Sequence, residues 1–425
     1  MDITVNKAKS LNGVIEIPAD KSITHRAFMF SSLTKGIMKI SNYSKGADCM
    51  STLHIIQDLG SEVQFLNDKE VVVNAKNALT APSAPLNCGN SGTTTRLMSG
   101  ILAGQNFNTK LFGDESLSKR PMKRVIAPLE LMGAKFIHND YKLPIEICAA
   151  KLHGIDYNSQ LASAQVKSCL LLAGLNAEGA TSFTEPYISR NHTELMFECM
   201  GADIKVEDNK VTVKPSTLNP VDITVCGDIS SAAFFMVAGL IVPDSDITIK
   251  NVGINETRAG IIEVLKNMNA DIELLNERVV SNEKVADIRV RYSNLKATII
   301  EGEIIPRLID EIPIIAVAAS QAEGTTVIKN AQDLRNKEAD RITAVKTELA
   351  KIGADIEETP DGFIINGKTE LTGDCEVECY HDHRIAMSCY VAGLICKKPI
   401  KIKEFQWVDI SFPEFLELNS KILIS

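Results

Sequence analysis

One structural pattern recurs six times along the chain, and such a repeat restricts the possible folds more than any single motif does. Each copy contains a helical segment that is apolar nearly all round, as buried helices are. A β-rich stretch follows it, then an amphipathic helix and a further strand. The apolar segments start about 66–80 residues apart, near Lys21, Asn90, Ala164, Ser230, Asp310 and His383.

The amphipathic helices end in residues suited to the left-handed conformation that closes many helices. Short strands also precede the buried helices, for example "GVIEIP" before the first and "DITVC" before the fourth. One unit is therefore strand, buried helix, strand, amphipathic helix, strand, strand, and the sequence predicts an α/β (α+β) protein made of βαβαββ units. The helix-ending residues are Gly60, Gly133, Gly201, Asn269 and Gly353.

The sixth unit reaches the end of the chain with "FPEFLELNSKIL" as its second helix and lacks its closing strands. The N-terminal segment "DITV" is a candidate for a missing strand. At 425 residues the chain is also too long for one ordinary core. We therefore expect two domains of three units each, with the N-terminal strand in the C-terminal domain.

Composition excludes several classes of protein. The chain carries 45 Lys and Arg against 54 Asp and Glu, a net charge of -9, whereas a general nucleic-acid binder has a basic face. No apolar run reaches the roughly 18 residues that a membrane helix needs, and the N-terminus lacks a signal-peptide core. The ten scattered cysteines are typical of reduced, buried thiols. The expected location is the cytoplasm and the expected state is a monomer. The negative net charge leaves room for a small anionic ligand held by a local cluster of positive charge.

Polar and charged residues gather at the starts of the buried helices. A helix N-terminus carries about half a positive charge and several unpaired N–H donors, which favour anions. If equivalent helices point the same way, their N-termini converge on one anion site. The residues at these starts are Lys21, Ser22, Arg26, Asn90, Gly92, Thr93, Arg96, Ser163, Gln165, Lys167, Asp228, Asp310, His383 and Arg384.

Further cations stand at the starts of the amphipathic helices, where they oppose the helix dipole. Taken singly, each is explained as a solvated surface charge; repeated at equivalent positions, they indicate an anionic ligand. They are Arg120, Arg190, Lys337 and Arg341.

Asp310 and Glu338 are the candidate carboxylates for proton transfer. A carboxylate among this many cations should act first as a base. The alternative for each is an N-cap or capping-box role, since Asp310 precedes an apolar helix that it could simply cap.

Eight motifs in consistent order resemble those of 5-enolpyruvylshikimate-3-phosphate synthase from about residue 10 to residue 415: "ADKSITHR", "CGNSGTTTR", "GDESLSKRPM", "SAQVKS", "SRNHTE", "GDISSAA", "LRNKEADRI" and "DHRIAM". The resemblance implies two domains, 20–227 and 1–19 plus 228–425, each of three units, with a substrate cleft between them. It also implies transfer of the enolpyruvyl group of phosphoenolpyruvate to the 5-hydroxyl of shikimate 3-phosphate, by addition and elimination through a tetrahedral intermediate in the shikimate pathway. No metal or organic cofactor is implied.

Matching the motifs residue by residue assigns roles that remain expectations from the resemblance. Asp310 would accept the hydroxyl proton, Glu338 would move the proton at the methyl carbon, and Lys21 is the alternative acid. Shikimate 3-phosphate would be held by Lys21, Ser22, Arg26, Ser163, Gln165, Arg190, Asp310 and Lys337. Phosphoenolpyruvate would be held by Lys21, Gly92, Arg120, Gln165, Arg341 and Arg384, with Asn90, Thr93 and His383 in support.

The chain departs from the family pattern at two positions. Ala164 stands where some members carry a second serine, and Ile410 stands where some carry a lysine before "SFP". The side chains of Ala164 and Ile410 cannot make the phosphate contacts of the serine and the lysine, so in this chain other groups must supply them.

Three alternatives compete with this interpretation. A related transferase acting on UDP-N-acetylglucosamine usually begins with "AKN" and carries a loop cysteine, whereas this chain has "DKS" and no cysteine in "GDESLSKRPM". A zinc module could use Cys375, Cys379, His381 and His383 if they share one face of a strand, although their spacing is not a standard zinc pattern. The segment "GFIINGKT" matches the phosphate-loop pattern, but its variable positions are apolar and predict a strand.

Overall fold

The computed structural model describes residues 1–76 and 78–424 and divides into two compact units. The N-terminal unit comprises residues 19–225 together with 280–283. The C-terminal unit comprises residues 1–18, 226–279 and 284 onward. Within the described residues, no helix has the length and apolar character needed to cross a membrane.

Most of the helices alternate between buried ones and amphipathic ones. In chain order they are α1 (Lys21–Ser31), α2 (Ala47–Asp58), α3 (Gly92–Ala103), α4 (Glu115–Lys119), α5 (Lys123–Leu131), α6 (Ala164–Gly174), α7 (His192–Cys199), α8 (Ile229–Ile241), α9 (Gly260–Asn267), α10 (Ile305–Leu308), α11 (Ile312–Ser320), α12 (Arg341–Ile352), α13 (His383–Gly393) and α14 (Phe415–Ile422).

In the part of the chain that the structure describes, the strands form six small sheets. In chain order they are β1 (Ile3–Val5), β2 (Ser10–Glu16), β3 (Ile37–Ser41), β4 (Glu62–Asn67), β5 (Glu70–Asn74), β6 (Leu86–Asn87), β7 (Thr109–Phe112), β8 (Lys135–Asn139), β9 (Lys142–Cys148), β10 (Asp156–Asn158), β11 (Thr181–Thr184), β12 (Ile204–Glu207), β13 (Lys210–Val213), β14 (Ile223–Thr224), β15 (Asp246–Gly253), β16 (Asp271–Val280), β17 (Glu283–Arg291), β18 (Ile299–Ile300), β19 (Gly324–Ile328), β20 (Asp355–Thr359), β21 (Gly362–Gly367), β22 (Glu376–Val377), β23 (Ile400–Ile402) and β24 (Leu423–Ile424).

The predicted repeat is confirmed. The buried helices α1, α3, α6, α8, α11 and α13 begin within two residues of the predicted positions, and every residue of α8 and α11 is buried. The residues predicted to close the amphipathic helices all have positive φ, from 67° at Asn269 to 114° at Gly353. Four sheets share one strand order, as in β6-β7-β9-β8 and β18-β19-β21-β20. This is the strand order of the βαβαββ unit.

Two strands pair outside the unit that contains the buried helix they precede. The strand β2 directly precedes α1, yet it pairs in parallel with β15 in the C-terminal unit. The strand β14 directly precedes α8, yet it pairs in parallel with β3 in the N-terminal unit. Strand propensity identifies these segments as strands but carries no information about which distant strand each will pair with. The N-terminal strand β1 pairs antiparallel with β23, in the sheet that also contains β22.

The segment "GFIINGKT" is not a phosphate-binding loop. Residues Gly362–Gly367 form β21, which pairs antiparallel with both β19 and β20. A Cβ added at Gly362 would lie 1.9 Å from the Ile328 carbonyl oxygen, so this glycine permits close strand packing. The next element is the strand β22 rather than a helix. The prediction of a chance match is confirmed.

Candidate functional site

The predicted site residues fall into two groups, one in each unit. In the N-terminal unit the first group begins at α1, where Asp20 caps the helix by accepting a hydrogen bond from the Ile23 amide at 2.8 Å. Lys21 occupies the first helical position and forms an ion pair with Asp48, from the first turn of α2. The carboxylate of Asp48 therefore fixes the direction of the Lys21 side chain.

Arg26 is almost fully buried one turn further along α1. Its guanidinium donates to the hydroxyls of Thr193 and Ser168, each at 2.8 Å, and to the Ser22 carbonyl at 2.9 Å. Burial lowers its pKa to about 10; Glu194 opposes the shift and the nearby charge of Arg190 adds to it. Arg26 therefore stays protonated at neutral pH, oriented by neutral groups and close to a second arginine.

The helices α3 and α6 meet through a polar bridge near their N-termini. Arg96 donates from Nη1 to Oε1 of Gln165 at 2.8 Å, and Gln165 donates from Nε2 to Thr93 Oγ1 at 3.2 Å. Ser91 caps α3 by accepting from the Thr94 amide. Ser163 holds the same position before α6, but within the described chain its hydroxyl makes no capping bond. The amides at the start of α6 thus keep their capacity to bind an anion.

Gly92 lies against two arginines. A Cβ added to it would be 2.8 Å from Arg96 Nη1 and 3.6 Å from Arg120 Nη1. Arg120 is held by a bond of 2.8 Å from Nη2 to Asn90 Oδ1, and Asn90 donates in turn to Asp114 at 2.7 Å. Asn90 therefore orients Arg120 beside the start of α3. We call the cations of this unit the cation cluster: Lys21, Arg26, Arg96, Arg120 and Arg190.

In the C-terminal unit the site is organised around Arg341, the first residue of α12, whose side chain is 2 % exposed. Its guanidinium lies 2.7 Å from Asp382, 2.7 Å from Glu338 and 3.3 Å from Asp310. Burial alone would lower the pKa of Arg341, but the three carboxylates outweigh it and the net shift is upward. This arginine therefore has carboxylates of the protein as partners, whereas its position at a helix start suggested a ligand anion.

Asp310 does not cap the buried helix α11, so the capping alternative is wrong. The N-cap position belongs to Glu311, and Oδ1 of Asp310 lies 3.3 Å from Lys337 Nζ. The α12 cap is Asp340, so Glu338 is not a capping residue either. Arg384 donates to the Asp310 backbone carbonyl at 3.0 Å. His383 is buried in the first turn of α13.

Several residues of this group were not among the sequence candidates. Asp382 accepts from the Arg384 amide at the start of α13 while its side chain binds Arg341. Glu311 is fully buried and lies 2.8 Å from Arg258, which also contacts Ser230. Together with the two candidate carboxylates, these acidic side chains form what we call the carboxylate cluster: Asp310, Glu311, Glu338 and Asp382.

The repeat itself carried a signal for one of the missed residues. Arg258 stands just before α9, as Arg120 and Arg190 stand before their own amphipathic helices and as Arg341 begins α12. No sequence signal marked Asp48 or Glu311, since their partners lie on other segments of the chain.

The zinc alternative fails on geometry. Within the segment 375–383, only Glu376–Val377 form a strand, and His381 has a φ of 57°. The four proposed ligands therefore do not share a strand face. Cys379 is buried with its thiol against the Lys403 carbonyl, while His381 stacks on Trp407 at 4.4 Å. Across the described part of the chain, no group of three or more His, Cys, Asp or Glu side chains is placed to hold a metal ion.

Comparison with solved structures identifies the fold. EPSP synthase from Acinetobacter baumannii superimposes with a TM-score of 0.89 at 41% identity, covering 100% of this chain and 98% of that one. The enolpyruvyl transferase NikO from Streptomyces tendae has a TM-score of 0.81 at 16% identity, covering 99% and 96% of the two chains, which shows the shared fold. The class is therefore that of the enolpyruvyl transferases.

Sequence comparison narrows the class to one family. The EPSP synthase (3-phosphoshikimate 1-carboxyvinyltransferase) family model matches residues 5–418. The 3-phosphoshikimate 1-carboxyvinyltransferase of Thermoanaerobacter sp. (strain X514) is 52% identical over 98% of both chains, and that of Petrotoga mobilis is 49% identical over 99% of both. The chain belongs to the EPSP synthase family. The UDP-N-acetylglucosamine alternative is not favoured.

Proposed function

We propose that the two clusters carry out enolpyruvyl transfer from phosphoenolpyruvate to the 5-hydroxyl of shikimate 3-phosphate, the reaction of the family. In the addition step the hydroxyl oxygen bonds to C2 of phosphoenolpyruvate and a proton goes to the methylene carbon. In the elimination step the resulting methyl group loses a proton and phosphate leaves. The site must therefore hold two phosphates and two carboxylates and must supply a base and an acid.

The observation that carries the proposal is that one buried guanidinium, Arg341, holds both Asp310 and Glu338. Asp310 and Glu338 are themselves 15 % and 25 % exposed, so a substrate can reach them. Asp310, with Lys337 beside it, is the proposed base for the hydroxyl. Glu338 is the proposed group that protonates and later deprotonates the methyl carbon, with Lys21 as the alternative acid.

The cation cluster is the proposed binding site for shikimate 3-phosphate. Arg26 has neutral hydrogen-bond partners and lies close to Arg190, so a phosphate would relieve the repulsion between two positive charges. Ser163 adds a hydroxyl and the start of α6 adds backbone amides. The proposed contacts are those of Lys21, Ser22, Arg26, Ser163, Gln165 and Arg190, with Asp310 and Lys337 at the 5-hydroxyl.

Phosphoenolpyruvate is proposed to bind at Arg120 beside Gly92, with Lys21 and Gln165, and at Arg341 and Arg384. Support comes from Gly92, which leaves room next to two guanidinium groups where any side chain would intrude. Asn90 orients Arg120, Thr93 holds Gln165, and His383 lies in the helix turn that carries Arg384. A substrate carboxylate or phosphate at Arg341 would compete with Glu338 for Nη2 and would release Glu338 for proton transfer.

The proposal is tested by measuring phosphate release from phosphoenolpyruvate. We expect release only when shikimate 3-phosphate is also present, with the enol ether formed in equal amount. UDP-N-acetylglucosamine should not replace shikimate 3-phosphate. Phosphate release without an acceptor, or release supported by UDP-N-acetylglucosamine alone, would contradict the proposal.

We further infer a cytoplasmic, monomeric enzyme. All ten cysteines are free thiols and seven of them are buried, which is typical of a reducing compartment. Every residue proposed for binding or proton transfer comes from the one chain. Sedimentation at the concentration of the assay should give a mass near 46.4 kDa; a stable dimer would contradict the monomer.

A further inference from the structure

A buried ion cluster in the N-terminal unit has no part in the proposed chemistry. Lys167 in α6 has a side chain only 1 % exposed, with Nζ 2.8 Å from Glu185 and 2.7 Å from Glu194. Burial opposes its positive charge, but Glu194 and Glu185 outweigh burial and raise the pKa of Lys167. Lys167 therefore stays protonated at neutral pH, and its burial keeps it from direct contact with a substrate.

The cluster holds the chain immediately before Arg190. Lys167 Nζ donates to the Ser189 carbonyl at 3.1 Å, and Glu185 Oε1 accepts from the Ser189 amide at 2.8 Å. Both backbone groups of Ser189 are thus bound by the same ion pair. The next residue along the chain is Arg190.

The cluster also holds the chain immediately after Arg190. Glu194 lies in the first turn of α7, which begins at His192, and its carboxylate is the second partner of Lys167. The backbone on both sides of Arg190 is therefore tied to a single ammonium group on α6.

The same pair of helices positions Arg26. Ser168 follows Lys167 on α6 and Thr193 precedes Glu194 on α7, and their hydroxyls lie 2.7 Å apart. Both hydroxyls accept from the Arg26 guanidinium. The hydroxyl pair thus joins α6 to α7 and holds Arg26, whereas the ion cluster holds the chain on both sides of Arg190. The charges of the two arginines interact.

We propose that Lys167 is a positioning residue that holds Arg190 in place to bind the phosphate of shikimate 3-phosphate; this rests on the binding role proposed for Arg190. The uncharged variant Lys167→Met should raise KM for shikimate 3-phosphate about tenfold while kcat and KM for phosphoenolpyruvate change less than about threefold.

A purely structural role would act through stability, because Lys167→Met leaves two buried carboxylates without their ammonium partner. The double variant Lys167→Met/Glu194→Gln removes one of these charges and should recover much of the lost melting temperature. KM for shikimate 3-phosphate should nevertheless stay raised, since the bond from Lys167 to the Ser189 carbonyl is still missing. Recovery of a normal KM together with stability would overturn the proposal.

A double-mutant cycle with Arg190→Ala tests the route of the effect. If Lys167 acts through Arg190, then adding Lys167→Met to Arg190→Ala should raise KM for shikimate 3-phosphate less than about twofold further. Additive effects would refute the positioning role. If Arg190→Ala alone leaves KM for shikimate 3-phosphate unchanged, the binding role of Arg190 is wrong, and the positioning proposal is wrong with it. If KM rises in Arg190→Ala but is normal in Lys167→Met, only the positioning proposal is rejected.

If Lys167→Met does not fold, Glu185→Gln replaces it in the cycle. This variant keeps the shape of the side chain and the Lys167–Glu194 ion pair while it weakens the hold on the Ser189 amide. It should raise KM for shikimate 3-phosphate in the same selective way. An unchanged KM in the folded Glu185→Gln variant would also overturn the proposal.

Discussion

The two clusters use a buried arginine in opposite ways. Arg26 in the N-terminal unit donates to hydroxyls and a carbonyl, and burial lowers its pKa to about 10. Arg341 in the C-terminal unit is just as buried, but its partners are Asp310, Glu338 and Asp382, and they raise its pKa. An arginine with neutral partners retains its charge for a ligand, whereas an arginine among carboxylates holds those carboxylates in place. The first arrangement suits binding and the second suits proton transfer.

The greatest loss of activity is predicted for a change in the carboxylate cluster. Asp310→Asn removes the proposed base, and kcat should fall about 10³-fold, in the range that general-base catalysis contributes. The change keeps the side-chain size, so the melting temperature should be close to that of the unchanged protein. Asp374→Asn is the matched control, because Asp374 is 69 % exposed and pairs only with an exposed lysine among the contacts described. A kcat within tenfold of normal in Asp310→Asn would show that Asp310 is not the base.

A somewhat smaller effect is expected at the cation cluster. Arg26→Lys keeps the charge but loses the forked geometry that binds Ser168 and Thr193 together with a phosphate. KM for shikimate 3-phosphate should rise about 30-fold, near 2 kcal/mol, while kcat changes much less. Steady-state kinetics with each substrate varied in turn measures this. A fall in kcat at unchanged KM would reverse the division of roles between the two clusters.

A further prediction concerns the space beside Gly92. Gly92→Ala places a methyl group 2.8 Å from Arg96 Nη1, so that guanidinium must move. KM for phosphoenolpyruvate should rise about fivefold, while KM for shikimate 3-phosphate stays within about twofold. The melting temperature serves as the control, since alanine is well tolerated in a first helical turn. An equal rise in both KM values would show that the two substrates do not occupy separate parts of the cation cluster.

The smallest expected effect is a pH dependence that belongs to the N-terminal unit. His25 is fully buried, and burial, followed by the charges of Lys21 and Arg26, holds its pKa well below the ordinary value. Below about pH 6.5 the unfolded chain takes up a proton that the folded chain excludes, so stability should fall with acidification by at most about 1.4 kcal/mol per pH unit. Above that pH both states are neutral and the contribution is constant.

Denaturant unfolding of the unchanged protein and of His25→Gln, at pH 7.5 and 5.5, checks this dependence. The variant should lose less of its unfolding free energy between the two pH values. Equal losses in both proteins would mean that burial and the neighbouring charges do not hold the pKa of His25 below its ordinary value.

The repeat could be predicted from the sequence because each unit repeats its own local signals. The periodic helices and the left-handed residues such as Gly353 are set by neighbours in the chain. Local signals do not reveal the pairing of β2 and β14, because both segments have the same local character and differ only in their distant partners. Only the domain bounds implied by the family resemblance assign these two strands to opposite units.

The same distinction holds for the candidate site. Lys21, Arg26 and Arg384 could be found because they stand at helix starts that the repeat locates. The ion-pair partners of Arg341 could not be predicted. Its three carboxylates come from residues 310, 338 and 382, which only the fold brings together.

The division of roles is tested most directly by titration calorimetry of the Glu338→Gln variant with shikimate 3-phosphate. Glu338 has no proposed contact with this substrate, and the cation cluster is unchanged in the variant. We expect a Kd within about threefold of that of the unchanged protein, while turnover with both substrates falls at least about 10²-fold. Weak binding of shikimate 3-phosphate, or near-normal turnover, would contradict this division of roles.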